Sequence, residues 1–184
     1  MTDKSAIRDA ATLIVLRDEY TAPSVLMGQR GAGAAFMPGK FVFPGGAVDA
    51  NDATVPTTPL RPLDQNRLED ESTLSASTLA AAAIRELWEE TGQVLGAPAT
   101  WTDAPQGWRG FAATGHQPNA TALEFFFRAV TPKGRPRRFD ARFFLARAAD
   151  LVTEPDDFSY AEDELAHLQW VPLTEARKFD LPFI

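Results

Sequence analysis

The chain has 184 residues, 45% hydrophobic and 23% charged, enough for one soluble domain with a buried core. Eighteen basic residues against 25 acidic ones leave a net charge of −7, which argues against nucleic acid held by its phosphate backbone but not against a small phosphorylated substrate met through a divalent cation. The lack of cysteine removes disulfides and thiolate metal sites. Neither an apolar signal core nor a membrane-spanning run is present, so a cytoplasmic protein without a membrane partner is expected.

In chain order, the apolar run at 11–16 reads as a buried strand and 24–30 as a second, the two joined as a hairpin. Residues 31–40, rich in Gly and Ala, read as irregular. Phe41-Val42-Phe43 is a short strand ended by Pro44-Gly45-Gly46. From 50 to about 74, prolines 56, 59 and 62 among polar residues read as loop, either a surface excursion or a rim over a substrate site. Strong helix formers from about 77 to 91 predict a helix, capped by Ser75 or Ser77 and closed by Gly92. Residues 101–122 carry no clear pattern. Strands are expected at 124–130, 141–145 and 168–171, with a Pro- and Arg-rich turn between the first two and a helix starting at Thr174 after the last. The phenylalanine run 125–127 is expected to be core or strand packing and not a stacking platform. The ending Leu181-Pro182-Phe183-Ile184 reads as a truncated apolar tail.

Chemistry concentrates on the predicted helix. At 100° per residue, Glu86, Glu89 and Glu90 fall within an arc of about 100°, opposite Ala80, Ile84, Leu87 and Thr91. Like charges at these spacings repel by a few tenths of a kcal/mol per pair. A solvated acidic face, eased by an Arg85–Glu89 pair, is the bland account. A cluster held together for a cation is the other. Phe43-Pro44-Gly45-Gly46 upstream tips the balance to the second.

Together these residues resemble the Nudix hydrolase family, whose box is a glycine, five residues, an acid, seven residues, then Arg-Glu-apolar-x-Glu-Glu-x-Gly-apolar. Gly46 is followed six positions on by Asp52, in place of the usual Glu, with Asp49 as its competitor. Arg85-Glu86-Leu87-Trp88-Glu89-Glu90-Thr91-Gly92 matches the second half, and Gln93 stands where an apolar residue is expected. Residues 53–84 hold 32 positions where the family has seven, an excess of 25, which places an insertion at about 53–76. Interrupted boxes of this kind are similar to those of the coenzyme A diphosphatase branch, as are Phe36 to Asp49, Arg138 to Leu145 and Trp170-Val171-Pro172.

The resemblance implies a single domain with an α/β/α sandwich around a mixed, partly antiparallel sheet. It implies hydrolysis of a diphosphate linkage in a nucleotide-like substrate, with Mg²⁺ or Mn²⁺ held by Glu86, Glu89, Glu90 and the carbonyl of Gly45. Glu86 would be general base, and Arg85 would hold Glu89 in place. Family members often take a further acid from outside the box. Glu164, in the run 162–164, is preferred here over Asp140, with a plain charged loop as the bland account. Arg30 and Gly46 are candidates to meet a substrate phosphate. Arg137 and Arg138, with Lys133 and Arg135, would suit the 3′-phosphate of coenzyme A or merely solvate a turn. Coenzyme A or an acyl derivative is the leading substrate; ADP-ribose, NADH and sugar nucleotides are the alternatives, beside a ligand-binding module without turnover. Relatives often form homodimers. His116 and His167 have no ligand-spaced partners and read as structural.

Overall fold

A computed structural model describes residues 6–34, 37–135 and 137–182. Phe36 of the branch resemblance and the last two residues of the apolar tail lie outside the described residues. Strand β1 (Ile7–Arg17) runs parallel to β8 (Arg138–Arg147) along ten residue pairs, and β8 pairs antiparallel with β7 (Glu124–Val130). On its other edge β1 meets two partners in turn. Its end pairs with β2 (Ser24–Arg30) and its start with β4 (Gly45–Ala47). β2 pairs in turn with β3 (Phe41–Val42) and β9 (Leu165–Pro172), giving a seven-stranded mixed sheet. The segment from Phe41 to Ala47 is thus a wedge where β1 and β2 diverge, and Pro44 inside it accepts the Leu13 N–H at 2.9 Å. Proline has no N–H of its own, so it sits where only a carbonyl is needed.

Helix α2 (Ala76–Thr91) packs on one face of this sheet. Ser75 caps it by accepting the Thr78 N–H, and Gly92 closes it at φ 74°, a left-handed angle that favours glycine. Ala80 to Ile84 are wholly buried, because the sheet lies on one side and other elements on the other. A helix apolar all round is a buried helix, and runs of alanine let its neighbours approach closely. Those neighbours are α1 (Pro62–Glu69), with Leu68, and the segment leading into α3 (Arg109–Ala113), with Trp108 and Phe111. Strands β5 (Gly96–Pro98) and β6 (His116–Pro118) form a small separate ladder beside them. The second sheet face carries a smaller cluster: Val25, Met27 and Val171 under Phe41, Phe43, Phe179 and Leu181.

Three expectations need correcting. Residues 50–74 are not plain loop. They hold a 3₁₀ turn, Ala50–Ala53, and α1, which starts with Pro62 at its first position, where a missing N–H costs nothing. Arginines tie the far end of this stretch down: Arg128 donates to the Asp70 and Glu71 carbonyls, and Arg142 to Ser72 Oγ. The helix expected from Thr174 is only a 3₁₀ turn, Ala176–Lys178, preceded by Glu175 and not capped by a side chain. Of the phenylalanine run, Phe125 is in the core and Phe127 packs on Phe143 of the paired strand, but Phe126 is exposed and Phe127 half-exposed, because β7 lies at the sheet edge and bulges between Phe125 and Phe127. Of the two accounts of the α2 acidic stripe, the solvated face does not hold, since Glu86 and Glu90 are both buried.

Candidate active site

The wedge and the helix meet glycine against glutamate. Gly45 N–H donates to Glu90 Oε2 at 2.8 Å. A Cβ placed on Gly46 would sit 2.5 Å from Glu86 Oε2 and 2.6 Å from Oε1, closer than real Cβ contacts allow. Glycine at 46 therefore lets the Glu86 carboxylate lie flat against the backbone. Glu90 Oε1 is buried with no hydrogen-bond partner among the described residues.

Arg85 organises the rest. Nε and Nη2 grip the two oxygens of Asp52 at 2.9 and 3.1 Å, a bidentate fork. Nη2 also donates to the Ala47 carbonyl at 3.0 Å. Nη1 is shared between Glu86 Oε1 at 2.9 Å and Glu89 Oε2 at 2.8 Å. The open choice between the two aspartates is resolved in geometry. Asp52 is the buried carboxylate on Arg85, while Asp49 caps the 3₁₀ turn by accepting the Asn51 N–H.

One guanidinium does not neutralise this many acids. Burial pushes the Glu86 carboxyl up to about 7, with Arg85 pulling it down and Glu89 pushing it up again. Burial also raises Glu89, against the pull of Arg85. Glu90 is raised well above the usual carboxylate range by burial and by Glu86, despite the Gly45 N–H. Burial works to lower the pKa of Arg85, but the Asp52 bond and the surrounding negative charges outweigh it and raise it. Buried carboxylates in excess, one of them with an orphaned oxygen, are a donor set suited to a hard divalent cation. As they stand, two of the glutamates turn to Arg85 and one to Gly45. Among the described residues no three ligating side chains enclose a ready cage.

Outside the box, Glu164 and Arg30 come to the same place. Arg30 Nη2 donates to Glu164 Oε1 at 2.9 Å, and the charge of Glu164 raises both Glu86 and Glu90. Asp140 does not come near. It is gripped by Arg128 at 2.8 and 2.7 Å, with Arg142 3.2 Å away, in a network under the end of α1's segment. Arg138 pairs with Ile7, five residues along β1 from Thr12, the partner of Gly45, so about 17 Å of strand separates them. Arg137, Lys133 and Arg135 are exposed in the adjoining turn.

Two residues were not anticipated. Trp108, wholly buried, donates its indole N–H to Asp52; nothing in the local pattern marked it. Gln93, also wholly buried, donates to the Glu154 and Asp157 carbonyls and accepts from Thr153 Oγ. Its departure from the expected apolar type was the available signal. With the Glu162 N–H on the Glu89 carbonyl, it docks the 153–162 loop against the end of α2.

The family comparison agrees with this layout. The sequence model of the NUDIX domain matches residues 73–183, more than half of the chain, and the chain belongs to the Nudix family. Gly45, Gly46 and Asp52 lie upstream of the matched stretch. The Caenorhabditis elegans protein named "Putative nudix hydrolase 7" is 30% identical over 97% of this chain, which spans 58% of that protein's length. A NUDIX hydrolase from Alicyclobacillus acidocaldarius superimposes with TM-score 0.72 and 30% identity, covering 97% of this chain and 86% of that one. The NUDIX domain of Shewanella oneidensis NrtR, solved in complex with ADP ribose, matches in fold alone, with TM-score 0.54 and 15% identity over 97% of this chain and 80% of that one. Among the described residues no helix is long and apolar enough to cross a membrane.

Proposed function

We propose that this chain is a hydrolase of diphosphate linkages, acting on a nucleoside diphosphate joined to another moiety. The observation that carries the reading is the buried surplus of carboxylates over the Gly45-Gly46 backbone, with Arg85 aiming two of them and Glu90 Oε1 without a partner among the described residues. Glu86, Glu89 and Glu90, with the Gly45 carbonyl and with Glu164 from the neighbouring loop, would hold Mg²⁺ or Mn²⁺. When bound, such an ion screens the diphosphate charge and makes water a better nucleophile near neutral pH. Glu86, with its carboxyl pushed up to about 7 chiefly by burial, suits a general base taking a proton from water. The new bond is water oxygen to phosphorus; the bond that breaks joins phosphorus to the bridging oxygen, giving two phosphorylated products. Arg85 orients Glu86 and Glu89, and Arg30 stands ready to exchange Glu164 for a substrate phosphate.

Coenzyme A or an acyl derivative is our preferred substrate, on the interrupted box and the Phe36–Asp49 run. Arg137 and Arg138 would then answer for the 3′-phosphate. ADP-ribose is the second reading, favoured by the ADP ribose complex of the NrtR domain. Phosphate-ester release from coenzyme A, ADP-ribose and NADH, with and without Mg²⁺, decides between them. Metal-dependent turnover should fall more than about 100-fold in Glu89→Gln and in Glu90→Gln, beyond what ligand-supporting residues typically cost. Unchanged turnover in both would refute the metal site. An Arg137→Ala, Arg138→Ala pair should weaken coenzyme A use but spare ADP-ribose; equal effects would remove those arginines from the site.

A further inference from the structure

Trp108 is sealed from solvent between Trp101 and Phe111, whose rings lie 6.1 and 5.4 Å away. Its single polar atom is spent on Asp52 Oδ1, 3.0 Å distant, the same oxygen that accepts Arg85 Nε. Asp52 Oδ2 accepts Arg85 Nη2 and, at 2.8 Å, the Asp49 N–H. Four donors thus meet a carboxylate that has about four acceptor positions. The last torsion of aspartate is broad and roughly two-fold, so an Asp held by an arginine fork alone can swivel with it. Here the indole pins one oxygen and the Asp49 backbone the other, and the fork has one setting. The remaining end of that fork, Nη1, holds Glu86 and Glu89.

We propose that Trp108 is a positioning residue of the hydrolytic site: through Asp52 it sets the Arg85 guanidinium, and through Arg85 the aim of Glu86 and Glu89. The proposal rests on the function proposed above. The fold supplies its own control in Trp101, a neighbour in the same aromatic cluster. Trp101 donates its N–H to the His116 carbonyl at 2.9 Å, away from Arg85.

Trp108→Phe and Trp101→Phe are compared for Mn²⁺ affinity, by titration of the free-ion paramagnetic resonance signal, and for kcat and KM. Trp108→Phe should weaken Mn²⁺ and lower kcat about 10-fold, the low end for a partner of a metal ligand, with KM within about twofold. Trp101→Phe should stay within about twofold on all three. In an Asp52→Ala background, which removes the acceptor of the indole N–H, Trp108→Phe should add nothing. Should Trp108→Phe fail to fold, replacement of Trp108 by benzothienylalanine keeps the ring shape without the N–H donor and must show the same losses. Equal behaviour of the Trp108 and Trp101 variants, or equal Trp108→Phe losses with and without Asp52, overturns the proposal. Glu90→Gln separates the two ideas. If it abolishes Mn²⁺ binding while Trp108→Phe does not weaken it, only the Trp108 role falls. If Glu90→Gln binds Mn²⁺ as well as the unaltered protein, the metal site and the Trp108 role fall together.

Discussion

Two buried arginines stand on the sheet's helical side, and their surroundings differ in charge count. Arg142 donates to Asp9 at 2.5 Å and lies 3.2 Å from Asp140, which Arg128 grips from the other side. Two cations face two carboxylates there, and Asp140 is held below its usual pKa, chiefly by the Arg128 hydrogen bond. Arg85 alone faces Asp52, Glu86 and Glu89, with Glu90 close behind, and the glutamates are all raised. Both are ion networks in the same interior. The balanced one pins the 70–72 stretch to β7 and β8; the unbalanced one keeps acids in a state that a cation would relieve. A surplus of buried charge, not burial of charge as such, separates a site from a brace.

The largest test of that contrast removes each arginine. Arg85→Ala should cost about 3–5 kcal/mol in unfolding free energy, because it strands buried carboxylates; Arg142→Ala should cost less, because Asp9 is partly exposed and Arg128 still holds Asp140. Only Arg85→Ala should also lower turnover per folded molecule, by about 10–100-fold. Denaturant melts beside steady-state assays on the folded fraction check this. Comparable losses of activity in both would erase the distinction.

The balanced network has its own pH signature. A carboxyl whose folded pKa is depressed contributes stability above its unfolded value, about 3.9, and that stability drains away as pH falls through the folded value. The unaltered protein should therefore exceed Asp140→Asn by about 1.5–3 kcal/mol at pH 7, the scale of hydrogen bonds to charged groups, with the gap closing below pH 4. A gap as large at pH 2 as at pH 7 would show that shape, not charge, matters at Asp140.

Gly46→Ala sharpens the other side. The added methyl meets the Glu86 carboxylate and must displace it, costing about 1–3 kcal/mol as overpacking does. Turnover should fall because the displaced carboxylate is the proposed base, and a rise in KM beside it would report the loss of Gly46 as a phosphate contact. Native kcat in Gly46→Ala would mean that Glu86 can move without consequence.

How much of this could be read from residues alone follows the range of the forces. Box helix, caps and glutamates were legible because propensity, periodicity and motif are local: Ser75, Gly92 and the 3.6-residue stripe all act within a few positions. The choice of Asp52 over Asp49 was not, since it turns on which carboxylate meets Arg85, 33 residues on. Helix α1 was hidden by its prolines and by a weakly amphipathic sequence; tertiary burial of Leu68 and Asp64 holds it. Trp108 was hidden for the same reason, being placed by α3 and the aromatic cluster and not by its neighbours in sequence. The edge position of β7 also depends on topology, so the exposure of Phe126 and Phe127 could not be read from the run.

Gln93 offers the smallest effect and the finest test. An apolar residue would suit its buried position, yet the loop opposite presents two carbonyls, of Glu154 and Asp157, that need donors. In Gln93→Leu both would lose their partner, a penalty of about 1–3 kcal/mol each if they stayed buried. They need not stay so, because Glu154 and Asp157 are on an exposed loop and can turn to water. The net loss should therefore be near 1 kcal/mol, expressed as local opening and not as global unfolding. Hydrogen exchange should quicken at the 153–162 amides, including the Glu162 N–H that bonds to the Glu89 carbonyl, and leave α2's interior unchanged. Since that loop leads to Glu164, its release should also weaken the Arg30–Glu164 pair beside the unbalanced cluster, while the Arg142 network keeps its protection. Unaltered exchange at 153–162 would mean that the loop is held by its other contacts, and that Gln93 only fills space.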